Sequence, residues 1–237
     1  MRDTPFSLST GFDQASARYD LMVALNPGYR RHLRLAAEAV VNEVTDPMPT
    51  LFDLGCGSGL STRELLRAAR RRGLTPRIIG VDASEGMLDR ARAKHWPEGV
   101  VFVQGRGEAL DELGLPPGDG ALACYLLRNV DDLDATLAGI RRALRPGARL
   151  VAEDYSVRES PAAARRWGRV NRTVIEPLAA LVGGERELYR YLHRSVEDFC
   201  GVGELAARFS AAGFHDVAAR TVDGWQRDIL HLVRGRA

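Results

Sequence analysis

The sequence predicts an α/β protein: a mostly parallel sheet of seven strands flanked by helices. Three observations predict it. Between residues 51 and 153 five strand-type runs alternate strictly with helical patterns, as in a parallel sheet with helices on both faces. The first run, Leu51-Phe52-Asp53-Leu54, enters a loop with glycine at alternate positions 55, 57 and 59, and a helical pattern leaves it. Asp82 ends the second run, 23 residues beyond Gly59, where a carboxylate can accept both hydroxyls of a ribose.

The elements follow in order. Phe12, Ala15, Ser16, Tyr19 and Met22 recur at helical spacing, and Asn26-Pro27-Gly28 breaks that helix. A second helix runs from about Tyr29 to Val44, and Asp46-Pro47-Met48-Pro49 stiffens the connection to the first strand. The helix after the glycine loop buries Leu65, Leu66 and Ala69 and stops at Gly73. Arg77–Asp82 is the second strand. Ser84 caps the next helix, with Met87, Leu88 and Ala91 inward. Val100–Gln104 and Ala121–Leu126 are strands three and four. Asp131-Asp132 opens a helix with Leu133, Leu137, Ile140 and Leu144 on one face; Arg145-Pro146-Gly147 ends it before a fifth strand, Ala148–Glu153. An arginine-rich, mostly helical stretch, Arg158–His193, interrupts the alternation. A helix through Val202, Leu205, Ala206 and Phe209 then precedes two strands, near Phe214–Val222 and Trp225–Val233.

Composition narrows the class. With 45% apolar and 27% charged residues over 237, the chain has material for a real core. No apolar run nears the roughly 20 residues of a membrane span, and no apolar signal region follows the first residues. A net charge of +2 does not point to nucleic acid. Cys56, Cys124 and Cys200 are widely spaced, which suggests reduced thiols, a cytoplasmic location and no metal site.

A strand, glycine turn and helix N-terminus form a cofactor cradle. A dinucleotide fingerprint places its third glycine at position 60, which is Leu60 here. The G-x-G-x-G spacing behind Asp53 resembles motif I of class I S-adenosylmethionine (SAM) methyltransferases. Other segments narrow the resemblance: Phe12-Asp13 to Tyr19-Asp20, Val81-Asp82-Ala83-Ser84-Glu85-Gly86-Met87-Leu88, Leu127-Arg128-Asn129-Val130-Asp131-Asp132, Leu144-Arg145-Pro146-Gly147, Tyr189-Arg190-Tyr191-Leu192 and Ser195. From Phe12 to about Gly224 the chain is similar to the C-methyltransferases of ubiquinone and menaquinone biosynthesis.

That resemblance implies a Rossmann-like class I methyltransferase fold in one domain, 1–237. N-terminal helices occupy 1–46, a SAM-binding core 47–157, a helical cap 158–196, and a C-terminal helix and strands 197–237. It implies SAM as cofactor, S-adenosylhomocysteine as product and a hydroxylated aromatic or quinol-like substrate. The cofactor positions fall on the loop residues Asp53, Gly55, Gly57, Ser58 and Gly59, on Asp82, Ala83 and Met87, and on Arg106, Gly107 and Cys124. Tyr19 either closes over SAM or anchors the core. Three positions depart from the family: Arg106 replaces a usual Asp or Asn, Gly107 an alanine and Cys124 a serine. Arginine has no acceptor for an adenine amino group, so Arg106 must stack, swing out or meet an anion. The chain also departs after Gly224.

Arg128 is expected to hold a phenolate whose ortho carbon attacks, and Asn129 to orient the ring or a water. The competing reading makes both residues loop anchors. No general base stands out. An O- or N-methyltransferase of specialised metabolism, or a SAM-binding protein that transfers no methyl group, remains as an alternative. Arg165, Arg169 and Arg172 share a helical face, which suits either a solvated helix or peripheral contact with an anionic membrane. The oligomeric state stays open, with a homodimer among the options.

Overall fold

The computed structural model describes residues 28–177 and 186–237. The expected first helix and Tyr19 lie outside the described residues. Helix α1, Tyr29–Val41, leads to β1, Thr50–Leu54, and the glycine loop to α2, Leu60–Arg71. Strand β2, Arg77–Asp82, α3, Glu85–Arg92, and β3, Val100–Gln104, complete one half. After a 3-10 segment, Gly107–Leu113, come β4, Gly118–Cys124, a 3-10 turn, Leu127–Asn129, α4, Leu133–Ala143, and β5, Leu144–Tyr155. Helix α5, Pro161–Val170, continues as a π-helical turn, Asn171–Ile175. Then follow α6, Arg186–Asp198, α7, Val202–Ala211, β6, His215–Thr221, and β7, Leu230–Arg236.

The seven strands form one sheet in the order β3-β2-β1-β4-β5-β7-β6. β1 to β5 pair in parallel, and β7 runs antiparallel to both β5 and β6. From β1 the chain proceeds outward to β2 and β3, then returns to place β4 on the other side of β1. In a parallel sheet, the crevice at the carboxyl ends of two such strands is where ligands bind.

Successive strand residues face opposite sides, and both faces are apolar. Leu51, Ile78, Leu122 and Val151 pack in a layer with α1 and α2. Phe52, Ile79, Ala121, Ala123 and Leu150 pack in the other layer with α4 and α7. Burial on both faces explains why these strands read as continuous apolar runs. Helix α1 approaches the sheet closely, since a Cβ on Gly120 would lie 2.9 Å from Val40 Cγ1.

Three strands have other bounds than those expected. β4 starts earlier and stops at Cys124 because Tyr125 adopts φ +59°, which leaves extended backbone. β5 begins at Leu144. β7 begins at Leu230 because Trp225–Ile229 is a turn: the Ile229 and Leu230 amides both donate to Gln226 O at 2.9 Å, and Asp228 adopts φ +61°. That turn is built on a buried side chain, with Gln226 Nε2 donating to the Tyr155 hydroxyl at 3.1 Å.

Glu153 on β5 is fully buried. Neither carboxylate oxygen has a hydrogen-bonding partner among the described residues. Burial pushes its carboxyl up to about 8; the Tyr125 hydroxyl nearby, outside hydrogen-bond geometry, opposes the rise and the Asp154 charge adds to it. The native state therefore holds a proton that the unfolded chain loses above its ordinary value, so this group costs stability as pH climbs toward 8. Glu153→Gln should thus gain stability relative to the parent between pH 5 and pH 9, by on the order of 4 kcal/mol at most. Urea unfolding at both values tests this, and a pH-independent difference would show that Glu153 is ionised in the fold.

Candidate active site

The glycine loop is shaped from behind by two strand-end carboxylates. Gly55, Gly57 and Gly59 have φ of +67°, +50° and +86°, conformations that favour glycine. The Gly55 and Cys56 amides donate to Val81 O at 2.8 and 3.1 Å, which ties the loop to β2. Asp82 Oδ2 accepts from the Gly57 amide at 2.7 Å, and its Oδ1 accepts from the Ser84 amide at 2.9 Å. Ser84 in turn caps α3, accepting from Met87 N at 3.1 Å. Asp53 lies beneath: its Oδ2 accepts from Ser61 Oγ at 2.8 Å and Thr62 Oγ1 at 2.5 Å in the first turn of α2. Burial pushes the Asp53 carboxyl up to about 7, although both hydroxyls favour its charged form. The chain's single lysine, Lys94, donates to Ser58 O at 2.7 Å.

Above this loop lies a cavity of about 410 Å3. Of the expected cofactor residues, Gly55, Gly57, Ser58, Asp82, Ala83, Met87, Arg106, Gly107 and Cys124 line it, as does Asn129. Asp53 and Gly59 do not: the first is buried under the loop, and the second packs against Trp96, whose Cζ2 a Cβ would meet at 2.8 Å. Arg106 swings to the rim, where it pairs with Asp131 and, at 3.5 Å, with Glu108. Burial pushes the Cys124 thiol well up, so it presents a neutral S–H.

A second cavity of about 710 Å3 adjoins the first; Val130, Asp131 and Tyr191 line both. Arg128 lines this outer cavity and Asn129 the inner one, so neighbours on one 3-10 turn serve different spaces. Arg128 is held in place. Its Nη1 pairs with Asp154 Oδ1, its amide donates to Asp154 Oδ2 at 3.2 Å, and its guanidinium lies 5.7 Å from the ring centres of Tyr125 and Tyr155. Asn129 Nδ2 donates to Tyr125 O at 2.8 Å, and its Oδ1 accepts from the Tyr191 hydroxyl at 3.4 Å. Tyr125 stacks between Tyr29 and Tyr155 at 5.3 and 5.0 Å. These contacts offset the cost of a left-handed tyrosine, of order 1–3 kcal/mol.

The model of the ubiE/COQ5 methyltransferase family matches residues 7–224. The chain belongs to that family. It is 32% identical over 220 residues to a ubiquinone/menaquinone biosynthesis C-methyltransferase of Acidiphilium cryptum, covering 90% of this chain and 84% of that one. It is 31% identical over 225 residues to a demethylmenaquinone methyltransferase of Mycolicibacterium vanbaalenii, covering 93% and 91%. Among solved structures, the N-methyltransferase NodS of Bradyrhizobium japonicum, in complex with S-adenosylhomocysteine, superposes with a TM-score of 0.64 at 15% identity, covering 98% of each chain. The chain is thus a SAM-dependent methyltransferase of the class I fold.

In this methyltransferase the cavity also takes in Tyr125, from a strand-end segment the sequence offers, and Tyr191 and Asp131, to which the sequence assigns no role. Tyr191 lay in a recognised motif, Tyr189–Leu192, but nothing in spacing tells which residue of a helix reaches a cavity on another element. Among the described residues, no group of three or more His, Cys, Asp or Glu could hold a metal, and no helix is long and apolar enough to cross a membrane.

A Cβ on Gly57 would lie 3.2 Å from Met87 Cε, at a φ that disfavours side chains. Gly57→Val should therefore abolish the rise in melting temperature that SAM gives the parent protein. The variant should still unfold cooperatively, and retained SAM stabilisation would show that this loop is not the cofactor cradle.

Proposed function

We propose that the enzyme transfers the methyl group of SAM to a ring carbon of a hydroxylated aromatic or quinol-like small molecule. The inner cavity suits the cofactor on its own geometry. Gly57 leaves room beside Met87 for a close backbone approach, and the Asp82 carboxylate, which accepts from the Gly57 and Ser84 amides, lines the cavity as an acceptor for a ribose hydroxyl. Ala83 and Met87 border the space for the base, and Gly55, Gly57 and Ser58 border that for the amino acid part. Arg106 supplies no acceptor; paired at the rim with Asp131, it helps to close the mouth.

The observation that carries the reading is the division of labour on the Leu127–Asn129 turn. Asn129 faces the cofactor cavity, while Arg128 faces the adjoining one from a fixed, buried position. When bound, SAM supplies an electrophilic methyl on a sulfonium sulfur. The protein's task is to align a nucleophile with it. A ring in the outer cavity, its phenolate oxygen against Arg128, carries negative charge onto the ortho carbon. Held by the glycine loop and Asp82, SAM would supply the methyl group to that carbon and leave as S-adenosylhomocysteine, and the carbon's proton would pass to solvent. Asp154 holds the guanidinium plane so that no reorganisation is needed as charge develops. Asn129 couples the turn to Tyr191 on α6. Both named relatives act on quinone-pathway molecules by their names, which supports the ring-carbon reading.

Nuclear magnetic resonance of the product formed from SAM and a panel of hydroquinones and phenols tests the proposal. A new methyl on a ring carbon is expected, whereas methyl on oxygen or nitrogen would overturn it.

Arg128→Lys keeps a charge but loses the planar fork that both Asp154 and a phenolate use. Single-turnover rate per folded molecule should fall about a hundredfold or more, the scale of one lost transition-state donor. SAM affinity should change little, because Arg128 does not line the inner cavity. A lowered melting temperature with an unchanged rate would make Arg128 a loop anchor alone.

A further inference from the structure

The outer cavity is lined by four arginines, and they are not equivalent. Arg128 is engaged by Asp154, and Arg208 by Asp134 and Glu204 at 2.7 and 2.8 Å. Arg158, just beyond β5, and Arg194, on α6, reach the same space from different elements. Neither side chain makes a hydrogen bond or ion pair with a described residue. Of the lining carboxylates, Asp131 is taken by Arg106 and Glu204 by Arg208, which leaves Asp198. Two uncommitted guanidinium groups therefore face one carboxylate.

The apolar part of the lining is grouped. Leu127, Val130 and Leu133 come from the 3-10 turn and the start of α4, and Phe199 follows α6. A ring resting on this side would have its hydroxyl near Arg128. Among the described residues the remainder of the wall is charged or polar apart from Cys200, unlike the continuous apolar groove that a long hydrocarbon tail needs.

Building on the placement of the acceptor ring in this cavity, we propose that the methyl acceptor is an aromatic acid: a hydroxylated ring whose carboxylate is bound by Arg158 and Arg194. Arginine presents a planar fork of donors matched to a carboxylate, and two such forks converging on one cavity select for charge and for its position on the ring. Such a substrate differs from a neutral quinol in the group it offers to the wall, while the methyl-transfer geometry stays the same.

Binding of matched probes tests this without turnover. Protein loaded with S-adenosylhomocysteine is titrated calorimetrically with dihydroxybenzoic acids, their methyl esters and the parent dihydroxybenzenes. The acids should bind at least about tenfold tighter than esters or parents, the scale of a charge-assisted pair in a partly enclosed site. In Arg158→Gln and in Arg194→Gln that preference should shrink to about threefold or less, and added salt should weaken it in the parent protein. The stabilisation by SAM, measured on the same preparations, should match the parent's and show that both variants are folded. Equal binding of acid and parent ring, absence of acid binding, or a preference that survives in both variants overturns the inference. Methylation of the acids at oxygen would overturn the ring-carbon reading and still support this one, because the acid would remain the preferred acceptor.

Discussion

The hydrogen bond from the Gly57 amide to the Asp82 carboxylate, at 2.7 Å, couples the two halves of the cofactor site. Asp82 ends β2, and Gly57 belongs to the loop after β1, so this bond fixes the loop to its neighbouring strand. The same carboxylate orients the Ser84 amide, and Ser84 caps α3, which carries Met87 to the cavity. A carboxylate that accepts two backbone N–H groups is held in one orientation. Replacing it with an apolar residue would free the loop, the cap and the ribose acceptor together. The left-handed backbone of Gly57, with a φ of +50°, is the matching requirement for its amide to reach Asp82.

Buried acids at the strand ends divide into three kinds by their partners. Asp53 is compensated by two hydroxyl donors from α2, yet burial still lifts it to about 7. Asp154 is compensated by a cation, Arg128, with which it forms a buried pair. Removing one member of such a pair leaves an uncompensated charge, and this costs about 3–5 kcal/mol. Glu153 has neither kind of partner, and its carboxyl rises to about 8. Asp53 and Asp154 position a loop and a guanidinium group. Glu153 sits behind the sheet-end aromatic stack and contributes no contact to either cavity.

What the sequence made legible follows from local physics. Alternation of apolar runs identified the parallel sheet because strands buried on both faces must be apolar throughout. Ser84 and Asp132 were readable as caps, and Asp132 does accept from Ala135 N at 2.9 Å. Asp82 could be placed at the cavity because strand ends share one edge. The misplaced start of the last strand has a local cause that spacing hides: Trp225–Val233 alternates well enough, but Gln226 turns inward to Tyr155 and breaks the extension. Asp53 and Gly59 share the motif yet lie outside the cavity, because a motif records both what touches a ligand and what shapes the loop beneath it. Tyr191 and the uncommitted arginines could not be read, since their importance arises where separate elements converge.

The cofactor half and the acceptor half of the site rest on different supports. The inner cavity is framed by main chain, glycine conformations and strand-end carboxylates, all fixed by sheet pairing. The outer one is framed by side chains from the turn after β4, from α6 and from α7. Tyr125 is the joint between them. Its left-handed backbone ends β4 and turns the chain, so that residues 128 and 129 face opposite spaces. The stack on Tyr29 and Tyr155, with Asn129 bonded to its carbonyl, holds that turn rigid. Substitutions on the outer wall can therefore change which acceptor is held without disturbing the strand register or the glycine loop. The cofactor loop keeps its glycines and Asp82, and the nearby positions where this chain departs from the family pattern, Arg106, Gly107 and Cys124, still line the inner cavity.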